Sequence, residues 1–196
     1  MELSPLAKER LARIGEPSQE EKDELRHAQE LSSLLSPYFT GKLSAESLWT
    51  KLKEYKDEGK EFVIREAQLN LAGAISLGSN ELDFNRCREG ILAVETLKDD
   101  SKYSILEANL NSIQSLYKQY NQEREQAFDA IRSNIERQLE AVAQQVTQKT
   151  GGQVDVKSSA ELNVTSSPQW REFISKHENE YQTRFQSYLV KLRDNL

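Results

Sequence analysis

The chain of 196 residues contains one cysteine, four prolines and eight glycines, and it has no apolar run long enough to span a bilayer. A single cysteine, Cys87, allows neither an intramolecular disulfide nor a thiolate metal cluster. So few turn-forming residues argue against an all-β fold and exclude a collagen-like chain. No apolar leader core follows Met1, so we expect a cytoplasmic protein without membrane insertion.

Basic charge is also scarce. Lys and Arg total 26 against 32 Asp and Glu, which gives a net charge of −6. No segment forms a basic stripe that would attract phosphate groups through counterion release. We therefore expect neither nucleic acid nor an anionic membrane surface as the partner.

What the chain has instead is helical patterning. A short helix is predicted over about 4–14, and a second begins at the capping box of Ser18 and Glu21 and ends at Pro37. A third follows Ser44 and closes at Gly59. A fourth, about 60–77, is apolar over most of its circumference, which is typical of the middle of a bundle.

A fifth helix is predicted over about 80–98, and the single cysteine of the chain lies on its apolar face. Phe84, Cys87, Ile91 and Val94 follow one another at helical spacing. No histidine or basic residue lies in this stripe. We therefore expect Cys87 to pack as a small apolar residue and not to act as a reactive thiol.

The longest helical segment, about 102–150, contains neither glycine nor proline. Its apolar positions recur every eleven residues, a period that keeps the stripe nearly straight along the helix. A last helix with the same period begins at Ser167. We expect the two to form an antiparallel pair whose interaction stripe consists of Tyr117, Tyr120, Phe128, Ile131, Ile135, Leu139, Val142, Trp170, Ile174, Tyr181 and Phe185.

The connector between these helices, 151–167, alternates apolar and polar residues. This pattern fits a small β-hairpin at the tip of the pair, and an irregular loop fits as well. The apolar residues of this predicted arm tip are Val154, Val156, Leu162 and Val164.

Unequal helix lengths lead to the predicted organisation. The last helix is much shorter than the long one, so we expect it to cover only the distal half of the long helix, about 120–150. The proximal half then needs the N-terminal helices or a second subunit. We predict an all-α, elongated bundle with a helical head over 1–120 and an antiparallel helical arm over 121–196.

Candidate chemistry is sparse. A helical di-iron centre needs paired Glu-x-x-His motifs, and only Glu24 and His27 form one, with Glu30 on the next turn. We expect His27 to be a solvated helix residue. His177 lies on the apolar stripe of the last helix, where we expect a core-edge histidine hydrogen-bonded to a neighbour.

The pattern as a whole favours a non-enzymatic interaction or scaffolding protein without a cofactor, self-associating as a homo-oligomer through the helical stripe. One alternative is a chaperone-like or adaptor module that binds its partner through the arm tip. The other is a metal-binding helical enzyme that uses Glu24, His27 and Glu30.

Overall fold

The computed structural model of this chain describes residues 18–150, 161 and 163–196, of which 19–25 and 141–150 are described as helical backbone only. The described residues contain helices and no strands, so the all-α prediction is confirmed. The helices are α1 (Gln19–Phe39), α2 (Ala45–Asp57), α3 (Glu61–Gly73), α4 (Glu81–Glu95), α5 (Tyr103–Thr150) and α6 (Pro168–Asp194). None of these described helices combines the length and the apolarity that a membrane crossing requires.

The described residues fall into two compact units. One contains 18–74 and 81–101, with α1 to α4, and the other contains 75–80 together with α5 and α6. The predicted division into a head and an arm at residue 120 stays a prediction. The predicted first helix, about 4–14, lies outside the described residues.

Helix α1 does not end at Pro37, as we expected, but continues through it to Phe39. A proline near the last turn removes only one backbone donor, and tertiary contacts offset that loss. The Tyr38 hydroxyl, on a ring that is only 1% exposed, donates to the carbonyl of Arg86 at 2.6 Å. The Arg86 guanidinium in turn donates to the carbonyl of Phe39 at 2.8 Å, which caps the helix end.

Helix α2 has the boundaries that the sequence predicts. The Ser44 side chain caps its first turn by accepting from the backbone N–H of Ser47 at 3.2 Å. At its other end Gly59 adopts a φ of +76°, in the left-handed region that glycine enters without a Cβ clash.

Helices α3 and α4 form the centre of their unit and are shorter than predicted. Helix α3 ends at Gly73, because residues 75–80 leave it and join the other unit. Helix α4 packs close to α1 at Gly90, where an added Cβ would lie 2.8 Å from the Tyr38 hydroxyl. The buried apolar residues of α3 and α4 are Val63, Ile64, Ala67, Leu71, Ala72, Phe84, Cys87, Ile91, Leu92 and Val94.

Helices α5 and α6 pack antiparallel in the second unit. Tyr117 stacks on Phe185, and eleven residues later Phe128 meets Trp170 edge to face. Helix α6 therefore lies along the first part of α5, and the prediction that it lies along 120–150 is wrong. Residues 163–166, ahead of α6, are also helical, and Val164 among them is fully buried.

Candidate interaction surface

The contact between α5 and α6 is built from aromatic side chains that the eleven-residue period places on facing sides. The ring centroids are 5.9 Å apart for Tyr117 and Phe185, and 5.4 Å for Tyr120 and Tyr181. All four rings are buried. Offset and edge-to-face pairs of this kind add stabilisation beyond the area that they bury.

His177 sits in the middle of this aromatic contact and is 6% exposed. Its ring stacks on Tyr120 and Phe173, with both centroid distances at 4.9 Å, and it lies 4.5 Å from the ring of Tyr181. Its Nε2 lies 3.1 Å from the backbone carbonyl of Tyr120, so this nitrogen donates. The expectation that His177 is hydrogen-bonded to a neighbour is confirmed, and the ring is buried where a position at the edge of the core is expected.

Two charged groups, Glu123 and Arg184, border the aromatic contact. The Glu123 carboxylate lies 3.6 Å from His177 Nδ1. Burial, followed by that carboxylate, raises the pKa of Tyr181 to about 12. Arg184 lies over the Tyr181 ring at 4.9 Å and donates to the side-chain carbonyl of Gln119 at 3.1 Å. These polar groups mark the border between the aromatic contact and the exposed surface.

The predicted interaction stripe divides into two parts in the structure. Tyr117, Tyr120, Trp170, Tyr181 and Phe185 are buried. Ile174 is half-buried. Four stripe residues farther along α5 are also half-buried, and we call them the distal stripe: Phe128, Ile131, Ile135 and Leu139. The side chain of Val142 lies outside the described residues.

The predicted arm tip is described only at Val164. This residue is fully buried in a helical stretch, 163–166, and so does not belong to the β-hairpin that the alternation predicts. A short alternation of apolar and polar residues does not distinguish a β-strand from a helical turn, because either conformation can bury a single apolar residue. Val154, Val156 and Leu162 lie outside the described residues.

The first unit contains a buried polar cluster that the sequence analysis missed. The Gln68 amide donates to the carbonyl of Ile91 at 3.2 Å and to the Glu95 carboxylate at 2.8 Å. Gln68 and Glu95 are both 0% exposed, and Lys98 lies 3.1 Å from the same carboxylate oxygen. In the sequence, the position of Gln68 on the apolar face of α3, four residues after Ile64, indicates that this glutamine is buried.

The proposed metal ligands are not brought together by the described side chains. His27 is half-buried, and its ring packs edge to face on Phe62 with centroids 5.1 Å apart, so the expectation of a solvated histidine is wrong. The side chain of Glu24 lies outside the described residues. Elsewhere in the described part of the chain, no three His, Cys, Asp or Glu side chains are placed to hold a metal ion.

Cys87 is buried in the core of its unit, as the spacing predicts. Burial raises the pKa of its thiol to about 11, and the neighbouring Asp83 carboxylate adds to the shift. The thiolate, which is the reactive form, is therefore disfavoured. The prediction that Cys87 lies on a buried face is confirmed.

Comparison with known proteins gives a family but no activity. Residues 49–196 match a family described as a family of unknown function (DUF6657). The match begins within α2, so it covers α3 to α6 and leaves out α1. No curated protein and no solved structure matches the chain.

Proposed function

The chain belongs to this family of unknown function, DUF6657. We propose that the protein is a non-enzymatic interaction or scaffolding protein that self-associates through the distal stripe of α5.

The observation that carries this proposal is a contrast along a single helix. Leu106, Leu110 and Ile113, near the start of α5, are 0% exposed. The distal stripe continues the apolar pattern on the same helix, yet all four of its residues remain half-exposed. A partner that packs on contiguous apolar surface of this kind removes it from water, and this burial favours association.

The state of the nucleophilic and basic side chains supports a non-enzymatic role. The Cys87 thiol is held protonated in a core, and the His177 ring is packed among three aromatic rings. General acid–base and nucleophilic catalysis need such groups within reach of a substrate. Here both groups contribute to packing.

The experiment is a mass measurement by size-exclusion chromatography with light scattering on three proteins. These are the unmodified chain, Ile135→Asp in the middle of the distal stripe, and Ser133→Asp on an exposed position of the same helix. A partner would bury the new carboxylate at 135 without a counter-charge, whereas the carboxylate at 133 stays in water. Both variants add the same charge to the same segment.

We expect the unmodified chain and Ser133→Asp to show a multiple of the chain mass of 22.5 kDa, and Ile135→Asp to show a single chain. Helical content from circular dichroism checks that Ile135→Asp remains folded. A mass of 22.5 kDa for the unmodified chain at high concentration would overturn self-association. An unchanged oligomer in folded Ile135→Asp would move the interface away from the distal stripe.

A further inference from the structure

A groove of about 330 Å³ lies between α1 and α3 in the first unit. Leu31 and Val63 are buried in it, whereas the Phe62 side chain is 51% exposed. An apolar ring that is exposed to this extent beside buried apolar residues is surface that a covering segment removes from water. The residues that line the groove are His27, Ala28, Leu31, Phe62, Val63 and Glu66.

The histidine of this groove has a ring nitrogen without a partner. The His27 Nε2 atom is shielded from solvent, and no described residue forms a hydrogen bond with it. A shielded polar atom without a partner destabilises the fold. A segment that brings a hydrogen-bonding group to this nitrogen therefore gains from binding there.

The chain immediately ahead of α1 has the pattern of a segment that fits the groove. Leu3, Leu6, Leu11 and Ile14 recur at helical spacing along the helix that the sequence predicts over 4–14. A short connection that includes Gly15 and Pro17 separates this predicted helix from α1. Two helices joined by about two to five residues form an antiparallel hairpin. We therefore expect the predicted helix to run back along α1.

Helix lengths bring the predicted helix level with the groove. His27 lies eight residues after the start of α1, and Leu6 lies eight residues before Ile14, where the predicted helix ends. At about 1.5 Å per residue, both positions are about 12 Å from the connection. In an antiparallel hairpin Leu6 therefore falls level with His27, and Leu3 falls close to the level of Leu31.

The charges of the two stretches are complementary. Residues 8–13 contain three basic residues and one acidic residue, in a chain whose net charge is −6. Residues 19–24, at the start of α1, contain four acidic residues and one basic residue. The antiparallel hairpin places these stretches side by side, so that opposite charges meet.

We propose that the groove between α1 and α3 binds the predicted helix over 4–14 of the same chain, with Leu6 beside His27 and Phe62. The bound helix covers the exposed Phe62 ring. Arg10, one turn after Leu6 on the same face, supplies a donor for His27 Nε2. This interaction lies within one chain and is independent of the self-association proposed for the distal stripe.

Cysteine pairs in the full-length chain test this placement. In a Cys87→Ala background, Leu6→Cys is combined either with Ala28→Cys, in the groove, or with Gln29→Cys, which lines a different groove between α1 and α2. Both positions on α1 are exposed, and they are adjacent in the chain. A disulfide needs Cα atoms within about 7 Å, so only a pair held on the same side of α1 links efficiently.

We expect Leu6→Cys and Ala28→Cys to form a disulfide within one chain on oxidation at low protein concentration, and the pair with Gln29→Cys to stay reduced. Equal linking of the two pairs, or linking of neither, would overturn the placement. A product of twice the chain mass from the first pair would also overturn it, in favour of a second copy as the occupant.

Thiol labelling of Ala28→Cys in the same background measures the covering of the groove without a cross-link. Leu6→Asp adds a carboxylate on the apolar face of the predicted helix, whereas Ala12→Asp adds one on the opposite face. We expect labelling to be several-fold faster with Leu6→Asp than with Ala12→Asp, while circular dichroism shows that both variants are folded. Equal labelling rates in the folded variants would contradict the proposal.

Discussion

The backbone carbonyl of Tyr120 on α5 accepts a hydrogen bond from His177 Nε2 on α6 at 3.1 Å, while the two rings stack with centroids 4.9 Å apart. One residue thus supplies both a polar and an aromatic contact to the same partner. His177 is therefore a specific link between the two helices. Its geometry leads to the first of four predictions.

Replacing His177 with alanine should lower the free energy of unfolding by about 2–4 kcal/mol, because three ring contacts and one hydrogen bond are lost together. Urea denaturation followed by circular dichroism measures this. His177→Phe retains the stacking and should lose less. Lys176→Ala, on an exposed neighbouring position, is the control; if it costs as much as His177→Ala, the aromatic contact is not the cause.

Gly90→Ala should destabilise the first unit by about 1–3 kcal/mol. Its Cβ would lie 2.8 Å from the Tyr38 hydroxyl and 3.1 Å from Leu71 Cδ1, and the buried Tyr38 ring has little space to move. Gly73→Ala is the matched control, because no atom lies within 4 Å of its added Cβ. Thermal melting should show a lower midpoint for Gly90→Ala alone, and equal midpoints for the two variants would contradict the close approach of α4 to α1.

Gln68→Leu should cost about 2–4 kcal/mol, because it removes a donor from the buried Glu95 carboxylate. The double variant with Glu95→Leu should cost less than the sum of the two single variants, since the carboxylate that needs the donor is then absent. Denaturant titration of all four proteins gives this coupling. Additive losses would show that Gln68 and Glu95 act independently.

The unfolding free energy should fall in alkaline solution in a way that depends on Cys87. The folded state raises the pKa of this thiol from 9.0 to about 11, so its contribution is complete below pH 9 and is lost as the pH rises through 11. Cys87→Ala should therefore lose less stability than the unmodified chain between pH 9 and 11. Denaturant titrations across this range measure the difference. Tyr181, whose pKa is raised to about 12, adds a decline above pH 10 in both proteins.

Local patterns predicted the features that depend on near neighbours in the chain. Ser44 and Gly59 were identified as the limits of α2 because a capping side chain and a left-handed glycine act within one turn. Cys87 and His177 were placed correctly because helical spacing identifies a buried face. Pro37 was misjudged, because a proline signal does not include the Tyr38 and Arg86 contacts that continue the helix.

The sequence by itself determined that the protein is helical, which faces of its helices are apolar, and where its cysteine and its stacked histidine are buried. Only the tertiary structure decided that α6 packs on the first part of α5, that Gln68 and Glu95 meet in a core, and that the distal stripe remains half-exposed. The physical reason is range. Helix formation and amphipathicity depend on residues within a few turns, whereas register and burial depend on contacts between segments far apart in the chain.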